Sequence, residues 1–176
     1  SILDMTPEAL DAFWQTNTRS TLLLTRAFAL LKADAPTAPA RPGERIRGDR
    51  ERRFTAPTGR VFWMTSGQGH GLMRGEVAYA TSKAALAGVT ATVAAELLEL
   101  GIVLNTVNPG PVDTGYLSPD ATDRPLGQIQ ELIDGTPFGR FGAPSDPANL
   151  IGWLATDDGA WIVGQVLTSD GGFYLA

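Results

Sequence analysis

Two short apolar runs, Arg60–Thr65 (RVFWMT) and Ile102–Val107 (IVLNTV), flank one long Ala-rich stretch, and this alternation constrains the fold more than any other feature. Each run has strand length and strand-type residues, and neither alternates polar with apolar. The stretch between them, from about Glu76 to Leu100, reads as a helix closed by Gly101 just past its C-cap. A third run, Gln165–Thr168, follows a helix that Asp146 is expected to cap, with Pro147 at its first position, and that runs to about Ala155. Apolar strands separated by helices predict an α/β fold with a parallel sheet covered on both faces.

The rest of the chain connects these elements. Thr6 is a plausible N-cap for an opening helix, with Pro7 in its first turn and Glu8 and Asp11 at the positive end of the dipole. Leu10, Phe13, Trp14, Leu22, Leu23, Leu24 and Phe28 supply an apolar face that fades near Lys32. Residues 33–58 break the pattern with four prolines, two glycines and six arginines (Arg41, Arg45, Arg47, Arg50, Arg52, Arg53), which reads as an exposed, mobile insertion. Residues 66–75 form a Gly-rich loop, and 111–144 hold several turns around one short helix, Leu126–Ile133. No repeat is present, so residues 1–176 read as a single domain.

Composition removes several function classes. The chain has no cysteine and one histidine, His70, which excludes disulfides, thiolate metal sites and multi-histidine centres. Nineteen acidic against fourteen basic residues argue against a general polyanion binder. The arginine cluster is diluted by Glu44, Asp49 and Glu51 and lacks interleaved aromatics, so a solvated insertion is favoured over a nucleic-acid grip. No stretch reaches the roughly 18 continuous apolar residues of a membrane span. A soluble, cytoplasmic protein with neither nucleic acid nor membrane as partner is the expectation.

Chemistry concentrates at the sheet's predicted C-terminal edge, where open α/β sheets bind ligands. Tyr79 and Lys83 are four apart on one helix, hence one turn apart on one face. A phenol, with an ordinary pKa of about 10, becomes a usable proton donor near an ammonium that favours its phenolate. Taken alone, such a pair is more often a surface lysine beside a half-buried tyrosine. The context sharpens it: Ser66 ends one strand 13 residues before Tyr79, and the next strand ends in Asn108-Pro109-Gly110 with Thr114 just beyond. Gly67-Gln-Gly69-His-Gly71 imitates a phosphate loop but lacks the fingerprint spacing, and a lone loop histidine such as His70 is usually solvated.

The run Ser66 … Tyr79-Ala-Thr-Ser-Lys83-Ala-Ala-Leu, then Leu104-Asn105-Thr-Val-Asn108-Pro109-Gly110-Pro-Val112-Asp-Thr114, resembles the classical short-chain dehydrogenase/reductases. So does the ending, Arg140-Phe-Gly142 … Asp146-Pro-Ala … Trp153-Leu-Ala-Thr-Asp157 … Gly164-Gln-Val-Leu … Asp170-Gly171-Gly172. The likeness covers nearly everything outside 33–58, in order and spacing, and is nearest to the 3-oxoacyl-carrier-protein reductase type.

The resemblance implies a Rossmann-type doubly wound parallel sheet and NAD(P)-dependent interconversion of a ketone and a secondary alcohol. Tyr79 is then the general acid/base, Lys83 lowers its pKa and holds the nicotinamide ribose hydroxyls, and Ser66 hydrogen-bonds the substrate oxygen. Asn17, in Gln15-Thr16-Asn17, is implied to help hold a water linking the lysine to solvent. Pro109, Gly110, Val112 and Thr114 match the stretch lining the nicotinamide. Each has a plainer reading: a solvent-facing helix Asn17, a turn-capping Ser66, a loop hydroxyl at Thr114. Asp170-Gly171-Gly172 reads as a structural turn.

The family's N-terminal βαβ half, with its Thr-Gly-x-x-x-Gly-x-Gly loop for the dinucleotide pyrophosphate, has no counterpart in this sequence. The chain therefore resembles the C-terminal two-thirds of such a fold, as part of a cut or longer enzyme or, alternatively, a truncated non-catalytic partner. Cofactor choice (NAD or NADP) and substrate stay open; Tyr116, Leu117 and Phe138 indicate a partly apolar pocket. The family implies a homo-oligomer, dimer or tetramer, built on its two long helices and C-terminal edge.

Overall fold

The computed structural model describes residues 1–33, 57–115 and 126–175. The arginine cluster, Tyr116 and Leu117 lie outside the described residues, as does most of the expected insertion.

The sheet is parallel and three-stranded, in the order β1 (Gly59–Met64), β2 (Ile102–Asn108), β3 (Val166–Thr168). Gly59 pairs with Ile102 and Met64 with Val107, while Thr106–Asn108 pair with Val166–Thr168. Each strand ends on the same side, so Ser66, Pro109 and Ser169 emerge along one edge. β2 is buried throughout, its polar Asn105, Thr106 and Asn108 included, as expected for a strand covered on both faces. Among the described residues β1 has a neighbour on one side only.

The opening helical stretch comprises α1 (Pro7–Phe13), a π turn (Trp14–Arg19) and α2 (Ser20–Ala33). The Thr6 side chain accepts from Ala9 N–H at 3.2 Å, the expected N-cap. The π turn re-phases the helix, so the apolar face read from sequence divides. Leu22 and Phe28 pack on the core, whereas Phe13, Trp14, Leu23 and Leu24 are exposed. Helix α3 (Val77–Leu98) carries Leu86, Ala94 and Leu97 into a cluster with Trp63, Ile102 and Leu104. Buried polar groups there are partnered: Trp63 Nε1 donates to Thr25 Oγ1 at 2.9 Å, and the Thr90 and Thr106 hydroxyls lie 2.8 Å apart.

Two further helices, α4 (Leu126–Asp134) and α5 (Ser145–Leu154), follow β2. Helix α5 starts at Ser145, two residues earlier than expected, and Asp146 is not its cap. Its carboxylate turns back to accept from Ala143 N–H and Arg140 Nη1, both at 2.7 Å. Buried Asn105 ties the last strand in place, donating to Ile162 O at 2.6 Å and accepting from Gln165 N–H at 3.0 Å. No described helix is long and apolar enough to cross a membrane.

Candidate active site

Helix α3 sets Tyr79 and Lys83 one turn apart. The Lys83 ammonium lies 5.9 Å from the Tyr79 ring centroid and donates to Met64 O at 3.0 Å. Thr65 N–H bonds Val107 O at 2.9 Å, so the preceding carbonyl points to the outer edge of β1, because successive strand groups alternate in direction. Lys83 thus closes the end of that edge, and Thr65 Oγ1 donating to Lys83 O at 3.0 Å fixes α3 against it. Half-buried, the ammonium is held below the usual lysine range by desolvation.

Tyr79 is held from the other side by Phe13, edge to face at 5.8 Å. Ser66 has extended backbone and begins the 3₁₀ turn Gly67–Gly69, yet its hydroxyl makes no capping bond. Among the described residues, neither the Tyr79 nor the Ser66 hydroxyl is hydrogen-bonded, so both are open to a ligand oxygen.

Asn17 occupies the π turn. Its Nδ2 donates to Ser82 Oγ at 3.0 Å, and Ser82 Oγ donates to Tyr79 O at 2.7 Å. It therefore reaches the backbone of the tyrosine's own helical turn, a contact its sequence neighbours did not signal. Pro109 follows β2; Gly110 adopts φ +65°, and a Cβ there would run into Asp170. Asn108 Oδ1 accepts from Gly110 N–H at 3.1 Å, while its buried Nδ2 has no partner among the described residues. Val112 is buried in a bridge to Gly142, and Thr114 is exposed. Asp170 Oδ1 accepts from Gly172 N–H at 3.0 Å, and both glycines have positive φ, the structural turn that was expected. His70 is exposed but not merely solvated: its Nε2 lies 2.9 Å from Thr168 Oγ1 and its ring stacks on Tyr174.

A family model described as enoyl-(acyl carrier protein) reductase matches residues 49–174. The chain belongs to the short-chain dehydrogenase/reductase family. It is 36% identical over 167 residues to "uncharacterized oxidoreductase YjdA" of Bacillus subtilis, covering 94% of this chain and 56% of that protein. It is 38% identical over 104 residues to the 3-oxoacyl-[acyl-carrier-protein] reductase FabG of Staphylococcus epidermidis, covering 57% of this chain and 40% of the relative. Acetoin dehydrogenase YohF from Salmonella typhimurium superposes with a TM-score of 0.74 at 25% identity, over all (100%) of this chain and 60% of that one. The chain thus spans between 40% and 60% of the length of these relatives, and the three described strands form part of a Rossmann-type short-chain dehydrogenase/reductase sheet. Both the FabG-like resemblance and the partial α/β architecture agree with the sequence reading.

Proposed function

We propose that the complete protein interconverts a ketone and a secondary alcohol with NAD or NADP, using Tyr79, Lys83, Ser66 and Asn17. The observation that carries this reading is the placement of Lys83 one helical turn from Tyr79 at the strand edge where Ser66 emerges.

The described donors suit the nicotinamide-ribose end of a dinucleotide. One Lys83 N–H is engaged by Met64 O, leaving two for a ribose diol. The unpartnered Asn108 Nδ2 stands beside Pro109 and Gly110, which with Val112 and Thr114 form the proposed nicotinamide wall. For the pyrophosphate end, the described residues offer no glycine loop opening a long helix; Gly67–Gly69 is a single 3₁₀ turn. When bound, the dinucleotide supplies or accepts the hydride.

The chain's own groups manage the oxygen and the proton. In reduction Tyr79 gives its phenolic proton to the carbonyl oxygen; in oxidation it takes that proton from the alcohol. Ser66 donates to the same oxygen as negative charge grows there, and the Lys83 ammonium stabilises charge on the phenol oxygen. Asn17, through Ser82, holds the helical turn that carries Tyr79. A second copy is proposed as partner, since α2 presents Leu24 and Leu31 at 72% and 76% exposure and Trp161 projects at 96%.

The test is Tyr79→Phe in the complete protein. Turnover of ketones falls at least about a hundredfold, the scale of a lost general acid/base, while dinucleotide affinity is retained. Near-normal turnover would remove Tyr79 from this role.

A further inference from the structure

The C-terminal turn carries a second tyrosine onto the loop that holds Ser66. A Cβ placed on Gly67 would collide with the Tyr174 hydroxyl and lie 2.6 Å from its Cζ. One placed on Gly71 would lie 2.6 Å from Tyr174 Cε1. The phenol ring therefore spans both glycines, in space that any side chain there would occupy.

The ring is held on several sides. His70, between the two glycines, stacks on it at 5.6 Å with 25° between planes, and Phe173 meets it edge-on at 5.0 Å. The His70–Thr168 contact at 2.9 Å ties the same loop to β3. On its far side the turn touches the other half of the site, because Asp170 packs against Gly110, whose Cβ would stand 2.8 Å from Asp170 Cα. One short segment, Asp170–Tyr174, thus contacts both the Ser66 loop and the Pro109–Gly110 loop.

We infer that Tyr174 is a positioning residue for the substrate: by pinning Gly67–Gly71 it fixes Ser66 relative to Tyr79 and sets the substrate-side wall. This rests on the carbonyl-reduction reading above. Burial, and then the nearby Asp170 carboxylate, push the Tyr174 phenol up, so it stays a neutral packing group. Its part is geometric, since small displacements of an orienting group are costly to turnover.

The test uses the complete protein with NADPH and ethyl acetoacetate as probe ketone, and amide hydrogen exchange without either. Tyr174→Ala raises exchange at His70 and Gly71, whose N–H groups bond Gly67 O at 2.9 and 3.1 Å. It also lowers kcat/KM for the ketone by about tenfold or more while the NADPH KM holds. Tyr174→Phe, which keeps the ring, recovers most of that loss. Gly67→Ala displaces the ring and reproduces Tyr174→Ala, and the double variant is no worse than either single one. Unchanged exchange and ketone kinetics in Tyr174→Ala, or additive losses in the double variant, would overturn the inference. Absence of ketone reduction by the unmodified protein, or full activity of Tyr79→Phe, would instead overturn the reading beneath it.

Discussion

Lys83 donates to the backbone carbonyl of Met64 at 3.0 Å, joining the proposed proton-handling helix to the last residue of β1. The bond leaves the ammonium on the side of its own helical neighbour Tyr79, 5.9 Å from that ring.

Under the proposed function this arrangement should act in opposite senses on stability and on turnover. Because burial depresses the Lys83 pKa in the fold, its charge is penalised fully below that value. The penalty is relieved as pH rises from there toward the unfolded value of about 10.4. Lys83→Met is expected to unfold at no lower temperature than wild type at pH 7, with any advantage shrinking toward alkaline pH. Its ketone turnover should fall by about a hundredfold or more. Thermal unfolding across pH, together with initial rates, checks both halves; a less stable, fully active variant contradicts them.

Asn17 and Ser82 should behave as one unit. Each of Asn17→Ala and Ser82→Ala breaks the chain of bonds that ends on Tyr79 O, so each should reduce kcat about tenfold. The double variant should lose little more than either single one, which a double-mutant cycle on kcat measures.

Thr25→Val should destabilise the complete protein by about 1–3 kcal/mol, because it leaves a buried indole N–H without an acceptor. Trp63 Nε1 bonds Thr25 Oγ1 at 2.9 Å in the core. Denaturant unfolding of Thr25→Val against Thr25→Ser, which keeps the hydroxyl, isolates the bond from the packing.

The Arg140–Asp146 pair should make stability fall in acid. Hydrogen bonds from Arg140 and from Ala143 N–H hold the Asp146 carboxyl below the usual carboxylate range. Its contribution is therefore present above the unfolded value of about 3.9 and is lost as pH drops through the depressed folded one. Asp146→Asn should be less stable than wild type at neutral pH, and the two should converge in strong acid. Melting temperatures from about pH 7 to about pH 2 check the sign.

Much of the fold could be read from the residues because burial left a pattern. Ile102–Asn108 is buried on both faces and reads as a strand without polar–apolar alternation, and Thr6-Pro7 marks a helix start by its own chemistry. Tyr79 and Lys83 were legible through helical spacing. What escaped depends on partners far along the chain. Asp146 looked like a cap, but an arginine and an amide preceding the helix compete for its carboxylate. The Tyr174 contact with Gly67 joins segments more than a hundred residues apart, and two loop glycines alone do not name the ring that covers them. The π turn at Trp14–Arg19 left no mark either, since no residue type signals a bond to the fifth preceding carbonyl, as Ser20 N–H makes to Gln15 O.

That turn makes the segment sensitive to length in a way that substitution tables miss. Nδ2 of Asn17 and Oγ1 of Thr18 both reach Ser82, the latter at 2.8 Å from its carbonyl oxygen. Deleting a single residue between Trp14 and Arg19 would restore regular helical bonding with the flanks nearly in place, yet it would take one residue out of the widened turn that reaches α3. The helix would gain regularity and lose part of its grip on α3, so related chains should hold the residue number of this segment as closely as the side chains of Asn17 and Thr18.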